Sequence, residues 1–170
     1  MILAIANQKG GVGKTTTAIN LGASLAVAEK RTLVLDIDPQ GNATSGLGLK
    51  DRAAQPSIYD VMVGQAVLPD TIVEGVHLEH LDVATSTRDL VGAEIELVSA
   101  DSRETILRRA IDTVSDRYDF ILVDCPPSLG LLTLNTLTAA DSVLIPIQCE
   151  FFALEGLSQL LSTIRLVQRG

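Results

Sequence analysis

Aromatic side chains are nearly missing from this sequence, which has no Trp, 2 Tyr and 3 Phe. Its core must be assembled from Leu, Val, Ile and Ala, a common choice for buried parallel strands. Cysteine is scarce too. Cys125 and Cys149 stand in no metal-ligand spacing and supply no disulfide framework, which fits a reducing, cytoplasmic compartment. A basic excess is lacking: 13 Lys and Arg face 21 Asp and Glu, for a net charge of −8. That excludes a constitutive nucleic-acid-binding face, though not a small local patch. No apolar run reaches the length of a membrane span. Leu129–Ile147 comes nearest, and Thr133, Asn135, Thr136, Thr138 and Asp141 interrupt it. Ile2–Ala6 is too short for the apolar region of a signal peptide and runs straight into a glycine loop. There is no internal repeat and no low-complexity tract. What remains is 170 residues, 46% hydrophobic and 20% charged, the profile of one soluble globular domain with a real core.

Apolar runs of strand length alternate with segments of helical period. Ile2–Ala6, Thr32–Asp36, Leu81–Ala84, Phe120–Asp124 and Ser142–Ile147 read as strands. Lys14–Ala28 reads as a helix rich in Ala, Gly, Ser and Thr, hence central and closely packed. Ser57–Val63 reads as a short helix, with Ser57 as its cap, Asp60 at the third position and Gly64 as its stop. Ser102–Ser115 carries a stripe of Ile106, Leu107, Ala110, Ile111 and Val114, with Glu104 and Arg108 spaced for an i,i+4 pair. Ala153–Gln168 is amphipathic, with Leu154, Leu157, Leu161 and Ile164 on one face. Pro39–Pro56 shows no periodicity and reads as a long loop. The alternation predicts an α/β fold: a mostly parallel sheet flanked by helices on both faces.

The stretch Asn7-Gln8-Lys9-Gly10-Gly11-Val12-Gly13-Lys14-Thr15-Thr16 follows a strand and opens a helix. It misses the usual G-x-x-x-x-G-K-T pattern, because Gln8 stands at the first glycine position. The physical requirement is still met. Glycines let backbone N–H groups turn inward around phosphate oxygens. The first turn of the following helix adds its own N–H groups and its positive dipole end. Lys14 then reaches terminal phosphates, and the Thr15 hydroxyl can ligate Mg²⁺. Lys9, taken alone, is a solvated loop lysine. Its place five residues before Lys14 puts it on the outer lip of the loop, where it could project toward a second molecule.

Two further stretches place carboxylates at strand ends, the edge at which open α/β sheets bind ligands. In "LVLDIDPQGN" they are Asp36 and Asp38, for which turn chemistry is an equal reading, since Asp-Pro commonly starts a turn. In "FILVDCPPSLG" it is Asp124, a metal-side ligand, with Pro126 and Pro127 stopping the strand. Cys125 reads as a small buried residue with no activating base nearby. His77 and His80 read as surface residues. Gln148 and Glu150, after the Ser142–Ile147 strand, read equally as site contacts or helix-entry residues.

These motifs, in this order, resemble the deviant Walker A class of P-loop NTPases, the SIMIBI-type group that includes ParA, MinD and the nitrogenase iron protein. "DPQGNATSGLG" and "AEIELV" lean toward its small, Soj-like partition ATPases. The resemblance covers nearly the whole chain, and its implications are specific. Residues 1–170 form one P-loop ATPase domain that lacks the family's C-terminal strands and helices, leaving Ser142–Ile147 at a sheet edge. Gly10, Gly11, Val12, Gly13, Lys14, Thr15 and Thr16 bind ATP. Thr15, Asp36 and Asp124 serve Mg²⁺, Asp36 through water. Lys14 and Asp38 act in hydrolysis, with Asp38 orienting the attacking water. Lys9 reaches across an ATP-sandwich homodimer to the partner's phosphates. Chromosome or plasmid partitioning follows, with a ParB-type partner protein and non-specific DNA binding by the intact protein, no membrane, and a cytoplasmic, nucleoid-associated location. The alternatives are a MinD-like membrane-cycling regulator of division, an iron-protein reductase, which needs paired cluster cysteines, and a nucleotide-binding module without turnover.

Overall fold

The computed structural model describes residues 1–50, 56–149 and 153–169. Six strands form one sheet: β1 (Ile2–Ile5), β2 (Thr32–Asp36), β3 (Ile72–Val73), β4 (Leu81–Ala84), β5 (Phe120–Asp124) and β6 (Ser142–Leu144). Their order is β3-β4-β2-β5-β1-β6. All neighbours are parallel except β3 and β4. The expected α/β architecture is therefore observed, with a two-residue antiparallel strand added at one edge.

Alternation along each strand divides the core between the two faces. Leu33, Leu35, Ile121 and Val123 join one apolar cluster, while Val34 and Leu122, between them, join the other. Helix α1 (Lys14–Val27) packs on the second face, burying Ala18, Gly22 and Ala26. A Cβ on Gly22 would stand 2.7 Å from Val34 Cγ2, so close approach to the sheet demands glycine there. On the first face lie α3 (Ile58–Met62), α4 (Leu90–Glu96), α5 (Ile106–Asp112) and the start of α6 (Leu131–Ala139). Helix α7 (Ala153–Val167) meets α6 and covers the β6 side, where Leu160 is fully buried.

Several sequence-based expectations change in detail. The Pro39–Pro56 stretch is not all loop: α2 (Asn42–Gly46) forms within it, and residues 51–55 lie outside the described ones. The strand expected over Ser142–Ile147 stops at Leu144, before Pro146, which has no N–H to give a ladder. Arg108 pairs with Asp112 at 3.0 Å rather than with Glu104, which pairs with Arg103 at 3.2 Å because 3₁₀ geometry over Arg103–Thr105 rotates it away. The buried line of α7 runs through Leu160, whereas Leu161 is exposed. The capped helix at Ser57 is as expected: the Ser57 N–H donates to Asp60 Oδ2 at 2.7 Å, and Gly64 ends the turn at φ 78°.

Candidate nucleotide site

Strand register brings the site together. In the β2–β5 ladder Asp36 stands opposite Asp124, and in the β1–β5 ladder Ile5 stands opposite Asp124. The glycine loop leaves β1 at that same sheet edge. Gly11 and Gly13 adopt φ 74° and φ 93°, a backbone region that other residues enter only with strain. Both turns bring the chain round to Lys14 and the start of α1.

The loop is braced from the segment that follows β6. The Asn7 amide donates to the Pro146 carbonyl at 2.8 Å, and the Lys9 N–H donates to Asn7 Oδ1 at 3.1 Å. The Gln148 amide donates to the Gly11 carbonyl at 3.1 Å. Gln148 therefore holds the loop itself. Glu150 lies outside the described residues. Lys9 is half-buried, and its carbonyl accepts a 3.1 Å hydrogen bond from the Lys14 ammonium. Lys14 is buried. Burial pulls its pKa below the ordinary lysine value, opposed by the charges of Asp124 and Asp38.

The three aspartates differ in what surrounds them. Asp36 is fully buried and accepts three protein hydrogen bonds: from the Thr44 N–H and hydroxyl, both at 2.8 Å, and from the Asp38 N–H at 3.2 Å. Burial lifts its carboxyl to about 6 against those donors. Thr44 also accepts from the Ser86 N–H at 3.0 Å, and the Ser86 hydroxyl donates to the Asp38 carbonyl at 2.7 Å. Asp36 thus anchors the whole Asp38–Thr44 segment. Asp38 Oδ1 accepts from the Gln40 N–H at 2.9 Å, and the residue lines the cleft.

Asp124 is the exception. It is fully buried, and neither carboxylate oxygen has a hydrogen-bond partner among the described residues. Burial pushes its carboxyl up to about 7. The nearby Thr15 hydroxyl, outside hydrogen-bond geometry, and Lys14 oppose the rise, while Asp36 and Asp38 add to it. An orphaned buried carboxylate close to Lys14 and Thr15 suits a cation. Among the described residues, no three His, Cys, Asp or Glu side chains cluster as metal ligands. Any ion here would take most of its ligands from water or a bound anion, as Mg²⁺ commonly does.

Gly10, Gly11, Gly13, Lys14, Thr15, Thr16, Asp38, Gln40, Asn42 and Pro127 line a cleft of about 320 Å³. Val12 is buried. A larger hollow, about 570 Å³, opens at the opposite end of the strands between Arg31, Glu74, His80 and Arg117. Both of its arginines are paired, Arg117 with Glu74 at 2.7 Å and Arg31 with Asp119 at 3.7 Å. His80 is half-buried there; His77 is exposed and bonds the Leu47 carbonyl at 2.9 Å. Cys125 is buried and its thiol pushed up to about 12 by burial, the state of an inert packing residue, whereas Cys149 is exposed.

A family model described as an AAA domain matches residues 1–170. The sporulation initiation inhibitor protein Soj of Bacillus subtilis is 60% identical over 168 residues, 99% of this chain and 66% of that protein. The chromosome partitioning protein ParA of Myxococcus xanthus is 58% identical over 169 residues, 99% of this chain and 59% of that protein. The chain belongs to the ParA/Soj family. It spans less than two thirds of the length of these two relatives. A crystal structure of cobyrinic acid a,c-diamide synthase from Mycobacterium smegmatis, with bound ATP analog and magnesium, superposes with a TM-score of 0.92. That match has 42% identity and covers 99% of this chain and 68% of the synthase. The ParA/Soj fold, a mostly parallel P-loop sheet between helix layers, is thus common to proteins of different names.

Sequence reasoning located the loop and all three aspartates. It missed Thr44, Ser86 and Asn7, whose roles come from contacts across the sheet edge. Short-range patterns carry no signal for such contacts.

Proposed function

We propose that this chain is the nucleotide-binding part of a Mg²⁺-dependent ATPase of the ParA type, working in chromosome or plasmid partitioning. The observation that carries the proposal is Asp124, buried and unpaired beside Lys14 and Thr15 under a glycine loop. The names of the relatives, Soj and ParA, favour partitioning over a MinD-like membrane cycle.

In this reading the loop N–H groups and the start of α1 hold the ATP phosphates, and Lys14 leaves the Lys9 carbonyl for them. Thr15 and Asp124 would hold Mg²⁺, which when bound would supply positive charge beside the phosphates. Asp36 keeps Thr44 and Asp38 in place. Asp38 orients a water whose oxygen attacks the γ-phosphorus; the bond to the bridging oxygen breaks, and ADP and phosphate leave. Lys9 serves the nucleotide of a second protomer, so hydrolysis depends on a homodimer. A ParB-type protein stimulates turnover, and the longer protein binds DNA non-specifically in the cytoplasm.

The test is phosphate release and nucleotide binding in wild type and Lys9→Ala, measured in the longer protein with its partner. Turnover should fall by about 10³-fold or more, the scale of a cationic finger supplied in trans. Nucleotide affinity should stay within about twofold. Unchanged turnover removes Lys9 from the reaction.

A further inference from the structure

Helix α6 starts at Leu131, directly after the loop that leaves Asp124, and it has no side-chain cap. Its N-terminal residue, Gly130, sits against a side chain from another helix. A Cβ on Gly130 would land on Glu94 Oε1 and stand 3.1 Å from Glu94 Cδ. Gly130 has ordinary extended geometry, φ −80° and ψ −171°, so it is the approach of Glu94 that demands glycine. Glu94 Oε1 is buried there and accepts no hydrogen bond among the described residues. The arrangement is odd in two ways at once. A buried acceptor without a donor costs stability, and an uncapped helix start offers N–H donors to an anion. The two lie side by side without being joined.

The intervening loop touches the nucleotide cleft, since Pro127 is part of the lining. Anything that fills the cleft therefore meets the loop three residues before Gly130. The loop is held at its far end by the Thr133 hydroxyl, which donates to the Ser128 carbonyl at 2.6 Å. A displacement at Pro127 would be carried toward Gly130 as a unit.

We propose that Glu94 is the positioning residue for the Cys125–Gly130 loop. When nucleotide occupies the cleft and the loop shifts, the Glu94 carboxylate closes on the start of α6 and caps it. The unjoined pair is the resting state, and the cap belongs to the loaded state. Glu94 touches neither nucleotide nor metal; it acts by fixing where the loop settles. This rests on the nucleotide reading of the cleft.

The test uses this chain as wild type, Glu94→Gln and Glu94→Ala. Two quantities are measured: the thermal midpoint without nucleotide, and the affinity for a non-hydrolysable ATP analogue with Mg²⁺. An ordinary structural carboxylate would stabilise the empty protein. A cap reserved for the loaded state would not. The expected result is a nucleotide-free midpoint in Glu94→Gln equal to or above wild type. Affinity in Glu94→Ala should fall roughly two- to thirtyfold, the span of a helix cap, and Gln, which keeps an acceptor oxygen, should recover part of it. Unchanged affinity in Glu94→Ala overturns the proposal, as does a loss that Gln does not reduce or one that tracks a lowered midpoint in both variants. A wild-type chain that binds no nucleotide at all overturns the reading of the cleft, and this proposal with it.

Discussion

Asp124 and Asp36 hold the largest electrostatic consequence of the fold. Their carboxyls are raised from 3.8 to about 7 and about 6, chiefly by burial. A carboxyl that binds its proton more tightly when folded contributes stability below pH 3.8, and that contribution is lost as pH rises through the folded value. The empty chain should therefore lose stability between about pH 4 and pH 7 from these two groups. Asp124→Asn removes the ionising group. It should raise the nucleotide-free midpoint near pH 7.5 by a few degrees, the effect of relieving roughly 1 kcal/mol of unpaired buried charge. Its pH profile should be flatter than that of wild type. Thermal melts across pH 4–8 check this, and an unaltered slope would show that Asp124 is already satisfied in the empty protein. The positions of the singled-out residues relative to strands and helices were legible in sequence. Lys14 and Thr15 open α1 and Asp36 and Asp124 end strands, where position in the pattern implies chemistry, while Lys9 and Asp38 lie in the loops that follow β1 and β2. Asp36 shows the limit. Its Thr44 partner lies eight residues on, inside a stretch with no periodicity.

At the scale of elements, the glycine in α1 makes a sharp prediction. Gly22→Ala would push its Cβ into Val34 Cγ2, and overpacking of this kind costs about 1–3 kcal/mol. A melt should show a drop of roughly 2–12 °C. Because α1 carries Lys14 and Thr15, nucleotide affinity should fall too. Gly130→Ala should behave differently: destabilising in wild type, and much less so in a Glu94→Ala background, where the carboxylate is gone. A double-mutant cycle measures that coupling, and additive effects would mean that the two residues do not meet. The elements that sequence reasoning overlooked share a cause. Helix α6 buries Leu132, Thr133, Asn135, Thr136, Leu137 and Ala139, on nearly every side, so no apolar stripe stands out. Helix α4 exposes Val91 and Ile95 while burying Leu90 and Ala93, which blurs its pattern. Strand β3 has two residues and α2 five, too short for any period to register.

For the molecule as a whole, the sheet order puts β1 between β5 and β6, so the loop leaves from beside the strand that ends in Asp124. This placement was legible in outline, because alternating strands and helices imply a parallel sheet with its functional edge at the strand ends. The edge position of β6 agrees with the expectation for that strand. The hollow at the opposite end was not foreseen, since it is assembled from residues that approach each other only once the strands align. The central claim is that the loop cleft takes a nucleotide together with a divalent cation, and that Asp124 is where the cation's charge is met. Its most direct test is the affinity of wild type and Asp124→Asn for a non-hydrolysable ATP analogue, titrated with and without Mg²⁺. Mg²⁺ should tighten binding to wild type by about tenfold or more, a difference near 1.4 kcal/mol, and leave Asp124→Asn nearly unmoved. Equal Mg²⁺ dependence in the two proteins would contradict it.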